Sequence, residues 1–202
     1  MIIGLVKILV IALIGYIIGS IPTGYLIVKA FKGEDIRKIG SGSTGATNVK
    51  RVMGRKWFYI TLALDLIKGM IPVLIAKFAF GLGYMGVIPV VAAIFVLLGH
   101  SKSIFLKFTG GKCVASGFGT ILALDWMSAT VFAIAWILIV KFSKFVSLGS
   151  IIAIWLTPIA MFIFNCPIAY ILYGLAGAIY ITYLHRENIK RLIKGEENVT
   201  EL

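Results

Sequence analysis

A chain of 202 residues that is 60% apolar and only 14% charged carries more hydrocarbon than a water-soluble domain can hide, which places it in a membrane. Its net charge of +12 suits basic loops lying against anionic lipid, and nothing in its polar segments supports nucleic-acid binding. No separate soluble domain fits, so residues 1–202 are expected to form a single polytopic, all-α membrane domain.

The first uncharged run, Ile8 to Val28, exceeds the roughly 18 to 20 residues needed to cross about 30 Å of hydrocarbon. It passes through Gly19-Ser20-Ile21-Pro22-Thr23-Gly24 into more apolar sequence with no convincing cleavage pattern, so it reads as a retained first span. A polar island follows, Ile39 to Arg51, opening with Gly40-Ser41-Gly42-Ser43-Thr44-Gly45. This literal G-x-G-x-x-G is not a dinucleotide fingerprint, because a membrane span and not a strand precedes it. A nucleotide P-loop fails as well, since Gly45 is followed by Ala46-Thr47. What remains is a set of small residues whose backbone N–H groups can converge on an anion, with hydroxyls and the charges of Lys50 and Arg51 beside them. The candidate binding residues are Ser41, Gly42, Ser43, Thr47, Asn48 and Arg51; a flexible linker is the competing reading.

The second span, about 57–78, carries Asp65 and Lys68 with Thr61 and Pro72 on the same helical face. Charges at that depth are expected to pair inside the bundle, as a packing lock or a functional group, and Pro72 leaves the Lys68 carbonyl without its helical partner. A third span, 84–99, leads to the second island, Gly99 to Ser116. There Thr109-Gly110-Gly111-Lys112 stands where the fourth span should begin, so a helix N-terminus and a lysine would face an anion together. Gly110, Gly111 and Lys112 are therefore binding candidates, whereas Gly117 and Gly119 suit helix packing. Ile104, Phe105 and Phe108, interleaved with Lys102 and Lys107, suit the lipid interface. His100, alone at a helix end, reads as structural.

The run Val114 to Val140 contains Asp125 and is either one long helix or two that fold at Leu124-Asp125-Trp126, with Asp capping the second. Parity favours two, giving seven spans at about 5–28, 57–78, 84–99, 111–125, 126–141, 145–164 and 167–184. All 20 Lys and Arg except Lys7, Lys68 and Lys77 then lie on one face, which the positive-inside rule makes cytoplasmic. The N-terminus is expected outside the cell membrane and the C-terminus inside, with the short fourth and fifth helices tilted or thinning the bilayer. Cys113 and Cys166 fall at opposite ends of the bundle, which excludes a disulfide. Neither has ligand-like neighbours, and no metal or cofactor is expected.

The third island continues the last span as His185-Arg186-Glu187-Asn188-Ile189-Lys190-Arg191. On a helix, His185, Asn188 and Arg191 share a sector of about 120°, while Arg186 and Lys190 point elsewhere. His185 is the base candidate, because Arg186, Lys190 and Arg191 should disfavour its protonated form. Alternatively, it anchors the helix end.

Gly40 to Arg51, Gly99-His100 through Gly110-Gly111-Lys112, and His185 through Leu192 with Gly195 and Glu196 resemble the three cytoplasmic motifs of the bacterial acyl-phosphate-dependent glycerol-3-phosphate acyltransferases. Their order, the spans between them, Gly19-Ser20-Ile21-Pro22 and Asp65-Leu66-Ile67-Lys68-Gly69 extend the resemblance over essentially the whole chain. It implies a seven-span enzyme that moves a fatty acyl group from acyl phosphate to the 1-hydroxyl of sn-glycerol-3-phosphate within membrane lipid, giving lysophosphatidic acid and phosphate. On that basis Ser41, Arg51 and Asn188 would hold glycerol-3-phosphate. Gly110, Gly111 and Lys112 would hold the acyl phosphate, and His185 or the substrate's own phosphate would take the proton. Lys112 and Asn188 join His185 as catalytic candidates, and Arg191 and Glu196 complete the binding set. Three positions depart from the pattern: Ser43 for asparagine, Thr109 for lysine and Cys113 for glycine. The His-x-x-x-x-Asp motif of another glycerolipid acyltransferase class is absent, since Phe105 and Lys190 stand five residues after the two histidines. A different class, a transporter of an organic anion or lipid, would use Asp65 and Lys68 as its path, but the polar residues gather at one rim and no internal repeat is visible.

Overall fold

The computed structural model describes residues 2–83 and 86–200, and among them it is helical with no strand. The expected start of the third span, residue 84, lies outside the described residues. The first apolar run forms two helices, α1 (Ile2–Ser20) and α2 (Thr23–Lys32). The break falls at Pro22, which cannot donate a backbone hydrogen bond and restricts the residue before it. Lys68 mends the break: its Nζ donates to the carbonyl of Ile21 at 2.7 Å.

Helix α3 (Ala46–Met53) carries the end of the first island, and α4 (Arg55–Ile75) continues through a π-helical turn, Ala76–Phe80. Helices α5 (Val87–Ser101), α6 (Val114–Leu124), α7 (Trp126–Ser143), α8 (Val146–Ile163), α9 (Ile168–Leu184) and α10 (Arg186–Lys194) follow. By length and apolarity, Gly4–Lys32, Arg55–Phe80, Trp126–Ser143 and Val146–Ile163 are long enough to cross a bilayer. The pair α9 and α10 is bent by 61°, and α5 and α6 are shorter.

The expected fold within Val114 to Val140 is present. Asp125 ends α6 and caps α7, its carboxylate accepting the Ser128 N–H at 2.7 Å. From α4's extension, Lys77 donates to the carbonyls of Ala123 and Leu124 at 2.9 and 3.2 Å, satisfying the end of α6.

No residue of α6 is exposed; it is enclosed by α4, α5, α7 and α9. Its tightest crossing is with α4, where a side chain on Gly69 would strike the Ser116 backbone and one on Gly119 the Leu66 carbonyl. Small residues at those crossings bring the two backbones into contact, the usual basis of helix association in lipid. The surrounding core includes Ile11, Val73, Ile121, Met161 and Ile181, all essentially inaccessible. A smaller cluster of Val28, Ile36 and Val49 holds the first island against α2.

Candidate active site

The glycine-rich loop is shaped by one side chain. Asn48 accepts the Ser41 N–H at 2.9 Å and donates to the carbonyls of Ser43 and Ile39 at 2.9 and 3.0 Å. Gly40 adopts φ +60°, and a side chain there would collide with the Asn48 amide. The Asn48 amide thus shapes the loop, and the residue also borders the cavity to which the loop leads, where the sequence suggests a substrate contact. The loop delivers the first turn of α3 to a cavity that Ser41, Ser43, Thr47 and Arg51 also line.

The other two islands meet it there. Lys112 and the first turn of α6, Val114 and Ala115, form a second part of the wall, and His185 and Asn188 a third. Two helix N-termini therefore converge on one cavity, each presenting unsatisfied N–H groups and a partial positive charge. The remaining wall mixes apolar Phe58, Leu62, Trp136 and Val146 with Asp65, His100, Ser147, Ser150 and Glu197.

The α9–α10 bend at His185 separates α10 from the last span, where the sequence suggests continuation. Lys112 Nζ donates to Asn188 Oδ1, and Asn188 Nδ2 donates to Glu197 Oε1 at 2.8 Å. Ser147 also donates to Oε1 at 3.2 Å, while Arg191 binds Oε2 at 2.8 Å. Glu197 is buried and Glu196 exposed, so the carboxylate of this network is the neighbour of the expected one. The chain returns to bury it because Gly195 turns at φ +72°, and beyond it the Thr200 N–H donates to Lys144. The adjacent acids are equivalent in sequence; the register of that turn separates them.

Other expected residues stand apart. Gly42 and Gly110 line a separate groove with Asp35, Arg37, Lys38 and Thr109. Gly111 packs against His100, and Arg191 engages the network through Glu197.

Arg51, Lys112 and Arg191 outnumber Glu197, and burial together with the Arg191 charge pushes the Lys112 amine down to about 8. Burial is also the main reason the His185 imidazole falls to about 4, with Lys112 as the opposing cation. The sequence suggests Arg186, Lys190 and Arg191 for that role. Arg186 instead stacks over Tyr183 at 4.7 Å, and Lys190 pairs with Glu187 at 3.1 Å. His185 Nδ1 lies 2.8 Å from the Ile181 carbonyl. That contact places the neutral ring's hydrogen on Nδ1 and leaves a lone pair on Nε2.

Cys113 has φ +63°, the left-handed region that favours glycine, and its fully buried thiol donates to the Leu97 carbonyl at 3.2 Å. A glycine at this position would therefore serve the backbone more than it would clear space for a ligand. Both cysteines are free.

Cationic side chains and helix N-termini facing an apolar wall define a membrane-embedded protein suited to amphiphilic anions. A family model described as glycerol-3-phosphate acyltransferase matches residues 9–195. The glycerol-3-phosphate acyltransferase of Carboxydothermus hydrogenoformans is 44% identical over 187 residues, covering 93% of each chain. That of Trichormus variabilis is 40% identical over 201 residues, covering 93% of this chain and 89% of its own. The crystal structure of PlsY (YgiH), an integral membrane glycerol 3-phosphate acyltransferase, in its glycerol 3-phosphate form matches with a TM-score of 0.91, 35% identity and 96% coverage of both chains. Its lysophosphatidic acid form gives 0.88 at 33% identity, covering 96% of this chain and 95% of that one. The chain belongs to the glycerol-3-phosphate acyltransferase family. It is accordingly an acyltransferase of phospholipid biosynthesis, embedded in a membrane.

Proposed function

We propose that the acyl donor is acyl phosphate and that the 1-hydroxyl of sn-glycerol-3-phosphate attacks it directly, releasing lysophosphatidic acid and inorganic phosphate. Residues 1–202 act as one catalytic unit with seven crossings, an external N-terminus and a cytoplasmic C-terminus and cavity. The observation that carries this reading is the single cavity into which all three polar islands send residues, beside an apolar wall.

Both substrates bear phosphate, and two helix N-termini with Arg51 and Lys112 supply two places for it. Ser41, Arg51 and Asn188 hold glycerol-3-phosphate. Lys112 and the first turn of α6 hold the acyl phosphate, with the Gly110–Gly111 turn leading into them from outside the cavity. The acyl carbon forms a bond to the attacking oxygen and breaks its bond to the phosphate oxygen, which leaves as phosphate. His185 Nε2 or the acceptor's own phosphate takes the hydroxyl proton. A mixed anhydride already has a good leaving group, so positioning and charge stabilisation suffice without an acyl-enzyme.

Purified protein given acyl phosphate and glycerol-3-phosphate is expected to release phosphate and lysophosphatidic acid in equal amounts. Substrate flux across sealed vesicles with neither product would overturn the reading in favour of a transporter.

A further inference from the structure

We propose that Trp136 sets the acyl specificity of the site: its indole backs the carbons next to the reacting carbonyl, and the rest of the tail stays in lipid. The proposal rests on the reading that acyl transfer takes place in this cavity.

The apolar wall is drawn from helices that do not pack along one another. Phe58 and Leu62 come from α4, Trp136 from α7 and Val146 from α8. Among the described residues α4 packs on α5 and α6, and α8 packs on α7 and α9. Helices α4 and α8 therefore face each other across the cavity at the N-terminal end of α6, and that side is where a tail can pass to the hydrocarbon.

The opposite side is closed. Trp136 is half-buried, and its Nε1–H donates to Ser150 Oγ at 3.1 Å; that hydroxyl in turn donates to the Val146 carbonyl at 2.7 Å. Ser150 is 1% exposed, so the indole is pinned from behind by its one polar atom. The helices that carry the pair are pressed together, since a side chain on Gly149 would strike Val140. Deeper in the bundle, Phe132 of α7 stacks on Phe118 of α6 with ring centroids 5.3 Å apart. That pair fills the seam between α6 and α7 beyond the indole, so a tail that meets Trp136 has to turn towards α4.

Helix geometry limits how much of the tail is held. Trp136 lies seven residues from the end of α7 at Ser143, about 10 Å along the axis. A fatty tail reaches across one leaflet, half of a hydrocarbon core about 30 Å thick, so its distal carbons extend past the indole into lipid. Selection then acts on the proximal carbons. A methyl branch there meets a fixed ring, whereas extra length or a branch near the tail's end meets fluid hydrocarbon.

The test uses full-length protein in detergent, labelled glycerol-3-phosphate and a series of acyl phosphates. Straight tails from lauroyl to stearoyl are compared with tails carrying a methyl on the carbon β to the carbonyl or on the penultimate carbon. In wild type, kcat/KM should vary less than about threefold among straight and penultimate-branched tails and fall about tenfold for the β-methyl tail, the usual discrimination of a pocket for one methyl. W136A should abolish most of that difference. W136F should retain part of it, and S150A, which frees the indole, should shrink it about threefold, with no further change in the W136A/S150A pair. A loss shared equally by straight and β-methyl tails, the signature of a merely structural role, would overturn the proposal. So would a wild-type efficiency that climbs steadily from lauroyl to stearoyl. If W136A does not fold, W136F and S150A carry the same comparison. A second readout does not depend on the donor: Trp136 is one of four tryptophans, and in a W57F/W126F/W155F chain it is the sole emitter. Lysophosphatidic acid brominated near its ester should quench that emission more strongly than the same lipid brominated near its methyl end, and equal quenching would overturn the proposal. Wild-type protein that makes no lysophosphatidic acid from any acyl phosphate would count against the donor assignment, a result distinct from the quenching pattern.

Discussion

Two titratable groups at the cavity have their charge set by burial, and each has a pH consequence. His185, held near 4, is neutral across the physiological range, so it should impose no limb on the rate profile between about pH 5.5 and 7.5. Because the unfolded chain would protonate His185 nearer its ordinary 6.5, the histidine makes the fold less stable as pH falls from about 6.5 to 4. Lys112, near 8, loses its charge just above neutrality, and kcat/KM should fall with that titration. K112R is expected to remove the alkaline limb, because a guanidinium stays charged; a limb unchanged in K112R would exclude Lys112 as its source. Glu197 supports the lysine's charge, so E197Q should move that limb to lower pH. H185A should lower kcat about 100-fold with modest change in KM, the usual scale for a lost general base, and near-normal kcat would assign the proton to the substrate phosphate. At this scale the sequence is legible where a polar side chain closes a polar segment against an apolar span: Arg51, Lys112, His185 and Asn188 all reach the cavity. It is illegible where a turn chooses between neighbours, as at Glu196 and Glu197, and it does not show that the Asn48 amide, at the cavity edge, also shapes the loop.

The helices themselves were legible because apolar runs must hide their backbone within hydrocarbon. The Leu124–Trp126 break was readable too, since an aspartate inside such a run needs N–H groups to satisfy it, and the cap on Ser128 supplies one. D125A should destabilise the protein by about 1 kcal/mol, the ordinary cost of a lost N-cap, measured as a lower melting temperature in detergent with unchanged KM values. The breaks at Pro22 and His185 were less legible. Each depends on a distant partner or a bend, the Lys68 amine at Ile21 and the 61° turn into α10, which no local pattern announces. G119V should prevent α4 and α6 from meeting, because its added atoms would occupy the place of the Leu66 carbonyl; loss of monodisperse protein on size exclusion is the expected result.

For the whole molecule, sequence showed three polar segments, and only the fold shows that they share a cavity. Their convergence depends on crossings that apolar length by itself does not count, since α5 and α6 are short. Single cysteines at Lys56, Lys107 and Glu196, exposed positions around the three islands, placed in a Cys166→Ser background, should all react with an impermeant thiol reagent from the cytoplasmic side alone. Labelling of E196C from the opposite side would overturn the reading of a shared cavity.

An eleven-residue α6 is about 16 Å long, roughly half the height of the oil layer. Since its neighbours enclose it, that shortness need not pinch the lipid. It works as a low post inside a taller palisade, so the palisade encloses a recess. With the crossings proposed above, water would reach the recess floor from one side of the leaflet while hydrocarbon stays against the outer wall. On that topology a phosphate would descend towards the depth where acyl tails already lie, and the tail would not have to be lifted out of the leaflet to meet it.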